Sequence, residues 1–372
     1  MAGATQQLLD SGLFEQGLYS FNGSQLTFKL TPASTLYNLR TDNLPLALTG
    51  KELEARLHEQ VPLFHGKLPV EGGVTMQVKT ALEKLLAAQG IKTTLESMAY
   101  TDPVKHEVTA ISLLMSHPEP QVGLISVAPG SSLDKDAEEA ASKLSGSSYS
   151  AESSAANIEE RIAYIYRDKG YLEVKVKAQR QGAFSIVDDA VKLPFSVSID
   201  KGALYRIDAI QLDPSMLIHQ ADFDHQSQLH PGDLADASRV RQNWQFLERQ
   251  YHSQGYMKAV IHAEPTFDRA TSHVRYTVTA TAGPQYKMGQ LTIANVDENL
   301  HSRMLALWQK LYGQKMPTGA VFNESALMSY YAIDKSVDPE MNRLFSSVKC
   351  NYKLTMNDEE RTIDVQLRLE KR

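Results

Sequence analysis

At 372 residues the chain exceeds one ordinary domain, and about 150 residues per domain leads to an expectation of two or three. Hydrophobic residues at 42% and charged residues at 22% are globular values that exclude wholesale disorder. Against 44 acidic side chains stand 38 basic ones, a net charge of −6, so sequence-independent phosphate binding is excluded as a main activity. A single cysteine, Cys350, excludes an intrachain disulfide, a cysteine zinc site and an iron–sulfur cluster, while leaving the compartment open.

The N-terminus, Met1 to Leu9, has neither the basic nor the apolar region of a secretory signal, and no run of 18 apolar residues follows. The protein is therefore expected either in the cytosol or as a form whose signal has been removed. Leu18 to Leu30 reads as an extra N-terminal piece containing a strand. Beyond it the chain repeats. Ile165-Tyr166-Arg167-Asp168-Lys169-Gly170-Tyr171-Leu172 matches Gln250-Tyr251-His252-Ser253-Gln254-Gly255-Tyr256-Met257, with Gly170 and Gly255 85 positions apart. Leu86, Gly90 and Ile91 give the same shape one period earlier.

Two further landmarks keep that period. A Leu-to-Gly element recurs at Leu63–Gly66, Leu144–Gly146, Leu229–Gly232 and Leu311–Gly313, with glycine spacings of 80, 86 and 81. An apolar spacing recurs as Val122-x-x-Ile125-x-Val127, Ile207-x-x-Ile210-x-Leu212 and Met288-x-x-Leu291-x-Ile293. Gly202-x-x-Tyr205 and Gly283-x-x-Tyr286 introduce the last two.

Each period reads as strand–helix–helix–strand–strand. The opening strand of the first copy falls near Leu39 to Leu46. Short helices are expected at Leu53 to His58, Asp136 to Leu144, Met216 to Leu229 and Leu300 to Leu311, each ended by its Leu-Gly element. Longer helices carry apolar stripes: Val78, Leu82, Leu85 and Leu86; Ile158, Ile162, Ile165 and Tyr166; Val240, Trp244, Leu247 and Tyr251. Closing hairpins are expected at Tyr171 to Ala178 with Phe195 to Ile199, around an insertion at Gln179 to Lys192. Others fall at Tyr256 to Ala263 with Val274 to Thr281, and at Val348 to Leu354 with Thr362 to Leu369.

That order, with Tyr205-x-Ile207, Leu229-x-x-Gly232-Asp233 and Leu247-x-x-x-Tyr251-x-x-x-Gly255-Tyr256, resembles the POTRA (polypeptide-transport-associated) repeat. The match covers Gln121 to Gly283 best, then residues 34–118, and is weakest over 284–372, where Tyr331 fits but Lys335-Ser336 replaces Gly-Tyr. The resemblance implies an α+β fold of four tandem βααββ units, each a three-stranded sheet under two helices. The expected segments are an N-terminal extension at 1–33, then units at 34–118, 119–201, 202–283 and 284–372. It further implies a periplasmic location at the outer membrane, no enzymatic activity and no cofactor. Arrays of this kind serve outer-membrane β-barrel assembly and two-partner secretion (surface-antigen type), where a C-terminal membrane barrel normally follows. This chain, ending at Arg372, then reads as a soluble fragment or a barrel-less relative.

Each candidate site has a plainer reading beside it. His219, His225 and His230 beside Asp222 and Asp224 could ligate a metal, but six residues separate the first two, which places them nearly opposite on a helix. A solvated polar helix is the stronger reading, and no metal is expected. Cys350 alternates with Val348 and Tyr352 in a strand, as a buried structural thiol would. Ser142 to Ser154 reads as an interhelical loop. No Gly-x-Ser-x-Gly, His-Glu-x-x-His or phosphate loop occurs, which leaves an extracytoplasmic hydrolase as a remote rival.

The first hairpin strand of each unit carries the functional expectation, because a sheet edge offers unpaired backbone groups to an extended polypeptide. Its candidate residues are Tyr171, Val174 and Val176, and Tyr256, Ala259 and Ile261. Lys175 and Lys177 read as edge guards. Expected partners are unfolded or extended outer-membrane or secreted polypeptides, other envelope assembly proteins and a membrane barrel outside this chain, but no nucleic acid. The alternative is a barrel-less envelope adaptor acting as a spacer or docking rod.

Overall fold

The computed structural model describes residues 2–102, 104, 106–182, 184–310, 316–331 and 348–371. The fold is α+β, and the chain divides into two compact units. The first comprises residues up to Tyr166 together with Val174–Lys201; the second comprises Arg167–Glu173 with Gly202–Arg372.

In the first unit, helix α1 (Ala2–Asp10) lies against a hairpin of β1 (Phe14–Phe21) and β2 (Leu26–Pro32), with Thr5 and Leu9 over Gly17. The extension is thus a helix and two strands rather than one extra strand. Asn22-Gly23 makes the turn: the Asn22 side-chain oxygen accepts from the amides of Ser24 and Gln25, and Gly23 takes the left-handed conformation.

β3 (Tyr37–Arg40), α2 (Gly50–Gln60), β4 (Lys67–Leu68), α3 (Gly73–Ala88), β5 (Leu95–Thr101) and β6 (Val108–Met115) follow, with sheet order β4-β3-β6-β5. The opening strand is shorter than Leu39 to Leu46. At Thr41 the chain turns, the Leu44 amide donating to the Thr41 carbonyl, and Leu44 and Leu46 join Leu53, Leu57, Val78 and Leu82 in the core.

Next come β7 (Pro120–Val127), α4 (Lys135–Leu144), α5 (Ser154–Arg167), β8 (Lys175–Arg180), β9 (Ser185–Val187) and β10 (Ala190–Asp200). β10 lies between β7, parallel to it, and β8, antiparallel to it. The expected insertion at Gln179 to Lys192 is ordered structure, because β9 folds back on β10. Val191 is fully buried there, in the same cluster as Leu82 and Leu86, and the Ile186 side chain reaches Gly90. The serine-rich stretch joins α4 to α5.

The second unit contains β11 (Arg206–Leu212), α6 (Gln220–Gln226), α7 (Ala237–His252), β12 (Val260–Asp268) and β13 (His273–Thr281). After them come β14 (Lys287–Ala294), α8 (Glu298–Trp308), α9 (Glu324–Tyr331), β15 (Val348–Asn357) and β16 (Thr362–Lys371). The sheets run β11-β13-β12 and β14-β16-β15, each central strand parallel to the opening strand and antiparallel to its hairpin partner. Aspartates start two of these helices, α7 and α8: the Asp236 carboxylate accepts from the Ser238 and Arg239 amides, and Asp297 from the Leu300 amide.

The x-x-then-x apolar spacing has a structural cause. Strands alternate with period two, yet Val122, Ile125 and Val127 break that period by one residue. A register irregularity sits inside β7, β11 and β14, between the partners of Leu193 and Phe195, at Ile207/Ala209, and at Met288/Leu291. Each bulge absorbs the surplus residue and returns the later apolar side chains to the core face.

The helix-stop glycines are left-handed, with φ of 88°, 90° and 82° at Gly90, Gly170 and Gly255. Two of them end Schellman motifs: Gly90 and Ile91 donate to Ala87 and Leu86, and Gly255 and Tyr256 donate to His252 and Tyr251. The glycine carbonyl then receives the next tyrosine, Tyr205 to Gly170 at 2.9 Å and Tyr286 to Gly255 at 2.8 Å.

The Leu-to-Gly elements serve the opening strands as well as the helices. Gly146 donates to Val122, which donates to Ser147; Gly232 and Asp233 hold Ile207 in the same way. In the last copy the pair is Gly319 and Ala320, on Met288, and not the expected Leu311–Gly313, which lies outside the described residues. Met316 and Phe322 fill the adjoining core, so the glycine spacing becomes 80, 86 and 87, since 319 − 232 = 87. α6 and α8 also differ from their expected spans, Met216 to Leu229 and Leu300 to Leu311. The flanking Met216 and Leu229 are core residues outside the short helix, and Lys335-Ser336 lies outside the described residues.

A side chain at Gly255 would meet the Tyr286 carbonyl oxygen at 2.6 Å and Val321 at 3.0 Å, whereas at Gly90 only Ile186 approaches, at 3.6 Å. Gly90→Ala is expected to cost about 1 kcal/mol from the left-handed backbone alone, and Gly255→Ala about 2–4 kcal/mol. Equal losses in urea unfolding of the two variants would show that the close approach contributes nothing.

His252, at the end of α7, pairs through Nδ1 with Glu324 in the first turn of α9 at 2.7 Å. The hydrogen bond and charge of Glu324, helped by Glu248, hold its pKa above the ordinary histidine value against partial burial. A raised folded pKa gives stability that is complete below the unfolded value of about 6.5 and lost as pH rises through the folded one. Amide exchange in α9 is expected to accelerate over that rise, and His252→Gln should flatten the profile. A parent profile as flat as the variant's would mean the pair does not fasten α9.

Candidate functional site

The sheet edges are β5 and β4 in the first sheet, β8 and β7 in the second, β12 and β11 in the third, and β15 and β14 in the last. The hairpin strands begin later than the sequence suggests. Tyr171 and Val174 precede β8, and Tyr256 and Ala259 precede β12; only Val176 and Ile261 lie in strands. The reason is a second turn after the glycine, in which the Met257 amide donates to Gly255 and the Ala259 amide to Tyr256. That turn tucks Val174 and Ala259 into the interior, so neither presents a ladder group to a ligand.

Several edges carry a side-chain cap on the backbone. The Ala178 amide, in β8, donates to Glu159 Oε1 of α5 at 2.8 Å, and the Leu95 amide, at the start of β5, donates to Glu83 Oε1 of α3 at 2.8 Å. On β11 the Gln220 side-chain amide does both jobs of a neighbouring strand. Its oxygen accepts from the Leu212 amide at 2.8 Å and its nitrogen donates to the Ile210 carbonyl at 3.0 Å. Opening strands are closed near their start by β4 or by single bridges, Gln121 to Ser148, Arg206 to Leu234 and Lys287 to Val321.

β12 has no such cap among the described residues. Ala178 pairs with Val197 and Ala263 with Val278, so the two alanines occupy the same place. Because Ala178 directs its amide away from its sheet, Ile261, Ala263 and Pro265 share the outward direction on β12. Where Glu159 stands in α5, 85 residues before 244, α7 carries Trp244, whose ring packs edge-on against Tyr276 at 5.5 Å. Pro265 has no amide hydrogen and blunts the far half of the edge. An open window of Ile261 and Ala263 remains, flanked by exposed Val260, His262 and Glu264. Pro265 was the missed signal, since it sits beyond the strand end expected at Ala263.

Tyrosine hydroxyls anchor the chain beside these strands. Tyr205 donates to Glu173, which pairs with Arg269 at 2.6 Å; Tyr286 donates to Asp358, which pairs with Lys258 at 2.7 Å. Hydrogen bonding to Glu173 raises the Tyr205 pKa, and the Lys258 ammonium, with Tyr286, holds Asp358 below the usual carboxylate range.

The remaining candidates form no cluster. His219 precedes α6, His225 lies within it, and His230 stands 3.7 Å from Asp233. Among the described residues no group of three His, Cys, Asp or Glu side chains is placed to hold a metal. Cys350 pairs with Leu369 across β15 and β16, and its side chain lies outside the described residues. No described helix is long and apolar enough to cross a membrane.

The strand–helix–helix–hairpin order, with a central strand parallel to the first and antiparallel to the second, is the fold that the POTRA resemblance implies. No family model matches the chain. Among solved structures, POTRA domains 3–5 of BamA from Haemophilus influenzae are similar at 15% identity and a TM-score of 0.48, over 69% of this chain and 98% of that one. POTRA domains 1–3 of the periplasmic domain of Omp85 from Anabaena match at 14% identity and a TM-score of 0.26, over 69% and 97%. CdiB from Escherichia coli matches at 12% and 0.22, over 45% of this chain and 27% of its own length.

Gln220→Leu is expected to cost roughly 1–3 kcal/mol, because it strands one backbone donor and one acceptor at the β11 edge. Amide exchange should accelerate at Leu212 while Ile261 is unchanged. Unaltered exchange at Leu212 would show that Gln220 does not cap the strand.

Proposed function

We propose that the protein is a non-enzymatic periplasmic scaffold for outer-membrane protein assembly or secretion, holding extended polypeptide by strand addition at β12 and docking other envelope assembly proteins. The observation that carries this reading is the bare outward backbone at Ile261 and Ala263, where the equivalent Ala178 amide is closed by Glu159. An added strand gains main-chain hydrogen bonds with little demand on side chains, which suits clients of many sequences. The POTRA-type fold supports the location and the absence of chemistry.

A second reading, a spacer or docking rod in a barrel-less adaptor, is favoured by the caps on β5, β8 and β11, which leave those edges little to offer.

Binding of extended peptides from barrel strands, followed by fluorescence anisotropy, separates the two. Ala263→Pro and Ile261→Pro are expected to stay folded by circular dichroism. They should lose about 2- to 150-fold in affinity, for one or two ladder bonds at 0.5–1.5 kcal/mol each. Ala178→Pro should bind like the parent. Peptides N-methylated at alternate residues test the same bonds without altering the protein, and should bind the parent as weakly as the proline variants bind the plain peptide. Parent-like binding in every one of these cases would exclude strand addition at β12 and leave the rod.

A further inference from the structure

The N-terminal hairpin has an apolar surface that the fold itself does not cover. Cross-strand pairing puts Gly17 opposite Leu30, Tyr19 opposite Phe28 and Phe21 opposite Leu26, so all six share one face. α1 covers the base of that face, with Thr5 and Leu9 over Gly17. A nine-residue helix rises only about 13 Å, roughly half of what an eight-residue strand spans, so it stops short of the tip. There Tyr19 is 46%, Phe21 53% and Leu26 40% exposed, and Leu18, on the opposite face, is 67% exposed.

We propose that this tip, from Leu18 to Phe28, inserts into the headgroup–acyl boundary of a lipid bilayer. Charge selects that occupant. Gln16 to Phe28 is a run of thirteen residues without a charged side chain, while Glu15 and Lys29 stand where the hairpin leaves it. An uncharged tip with charges at its base matches a medium that is apolar inside and polar at its rim.

Geometry argues against a protein partner. On the opposite face Leu18, beside Lys29, is the exposed apolar side chain, and a second copy stacked on the Tyr19 and Phe21 face would leave it in water. The exposed apolar surface is on the order of 400 Å², about half of what each side of a standard interface buries. A lipid boundary surrounds the tip on all sides. The turn is ready for such a site, since the Asn22 side chain accepts from the Ser24 and Gln25 amides and the Asn22 amide donates to Gln25. The outer edges of the two strands keep their unpaired backbone groups and so hold the insertion shallow, within reach of headgroup water. This inference does not depend on strand addition at β12.

The test is co-flotation of the full chain with neutral phosphatidylcholine vesicles, at physiological and at high salt. The parent should float at both, because no charge is involved. The double substitution Leu18→Asp and Phe21→Asp should reduce binding by more than about tenfold. A Tyr19→Trp variant supplies a second reading, an emission shift to the blue with vesicles and quenching by lipids brominated near the headgroup. A parent that stays with the soluble fraction, a charged variant that floats as well as the parent, or an indole emission unchanged by vesicles would each overturn the proposal. So would a concentration-dependent dimer in sedimentation that the same double substitution dissolves, which would assign the tip to a second copy.

Discussion

The second unit hangs on one backbone bond made twice: the carbonyl of a left-handed glycine accepts the amide of a buried tyrosine, Gly170 from Tyr205 and Gly255 from Tyr286. Only a residue that tolerates positive φ can end the long helix and still turn its carbonyl to the incoming strand. The tyrosine then fixes where the opening strand begins. Gly232-Asp233 and Gly319-Ala320 close on the next residues of β11 and β14, and the bulge follows at once. In the first unit the place 85 residues before Tyr205 belongs to Pro120, which has no amide hydrogen to give. There Tyr149 and Arg180 bind the Asp42 and Leu44 carbonyls and the Ala151 amide binds the Asn43 side chain, a different fastening for a different sequence.

The polar partners of the two tyrosines are inverted in charge. Position 173 is glutamate and position 258, 85 residues later, is lysine; the hairpin turn that meets each supplies Arg269 to the first and Asp358 to the second. In both cases the hydroxyl donates to the carboxylate and a cation neutralises it, but the carboxylate comes from opposite sides. Exchanging one half of either set would place like charges together. The two tyrosine sites therefore cannot be shuffled, a specificity made by repulsion as much as by attraction.

The period was legible because its markers are backbone necessities. Glycine must stand where φ is positive, so Gly90, Gly170 and Gly255 announce themselves without any structure. The apolar x-x-then-x spacing was visible as well, although only the ladder register shows that a bulge causes it. Two kinds of feature were hidden. Strand starts depend on the Gly-Tyr turn continuing through a second turn, which local pattern does not distinguish from a strand, and this displaced Tyr171, Val174, Tyr256 and Ala259 from the edges. Gly319, which closes on Met288, lacks a nearby leucine and has Met316 instead, so the Leu-Gly pattern did not point to it. Of the candidate site, the identity of the edge strand was legible; its openness was not, because Glu83, Glu159 and Gln220 cap amides 12, 19 and 8 residues away.

Pro265 sets a limit on how an extended ligand could hold β12. An edge left bare along its whole length invites other copies of the chain, and natural sheets interrupt such edges. Pro265 interrupts this one two residues beyond Ala263, so the outward ladder positions available are Ile261 and Ala263, each with one donor and one acceptor. Four hydrogen bonds at about 0.5–1.5 kcal/mol amount to roughly 2–6 kcal/mol, against an association cost of about 4 kcal/mol or more. Backbone bonds alone therefore leave such a window with weak net affinity. Retention would need side-chain contacts from Val260 or neighbouring surfaces, or several weak sites acting on one chain, and a client would pass on readily once it began to pair elsewhere.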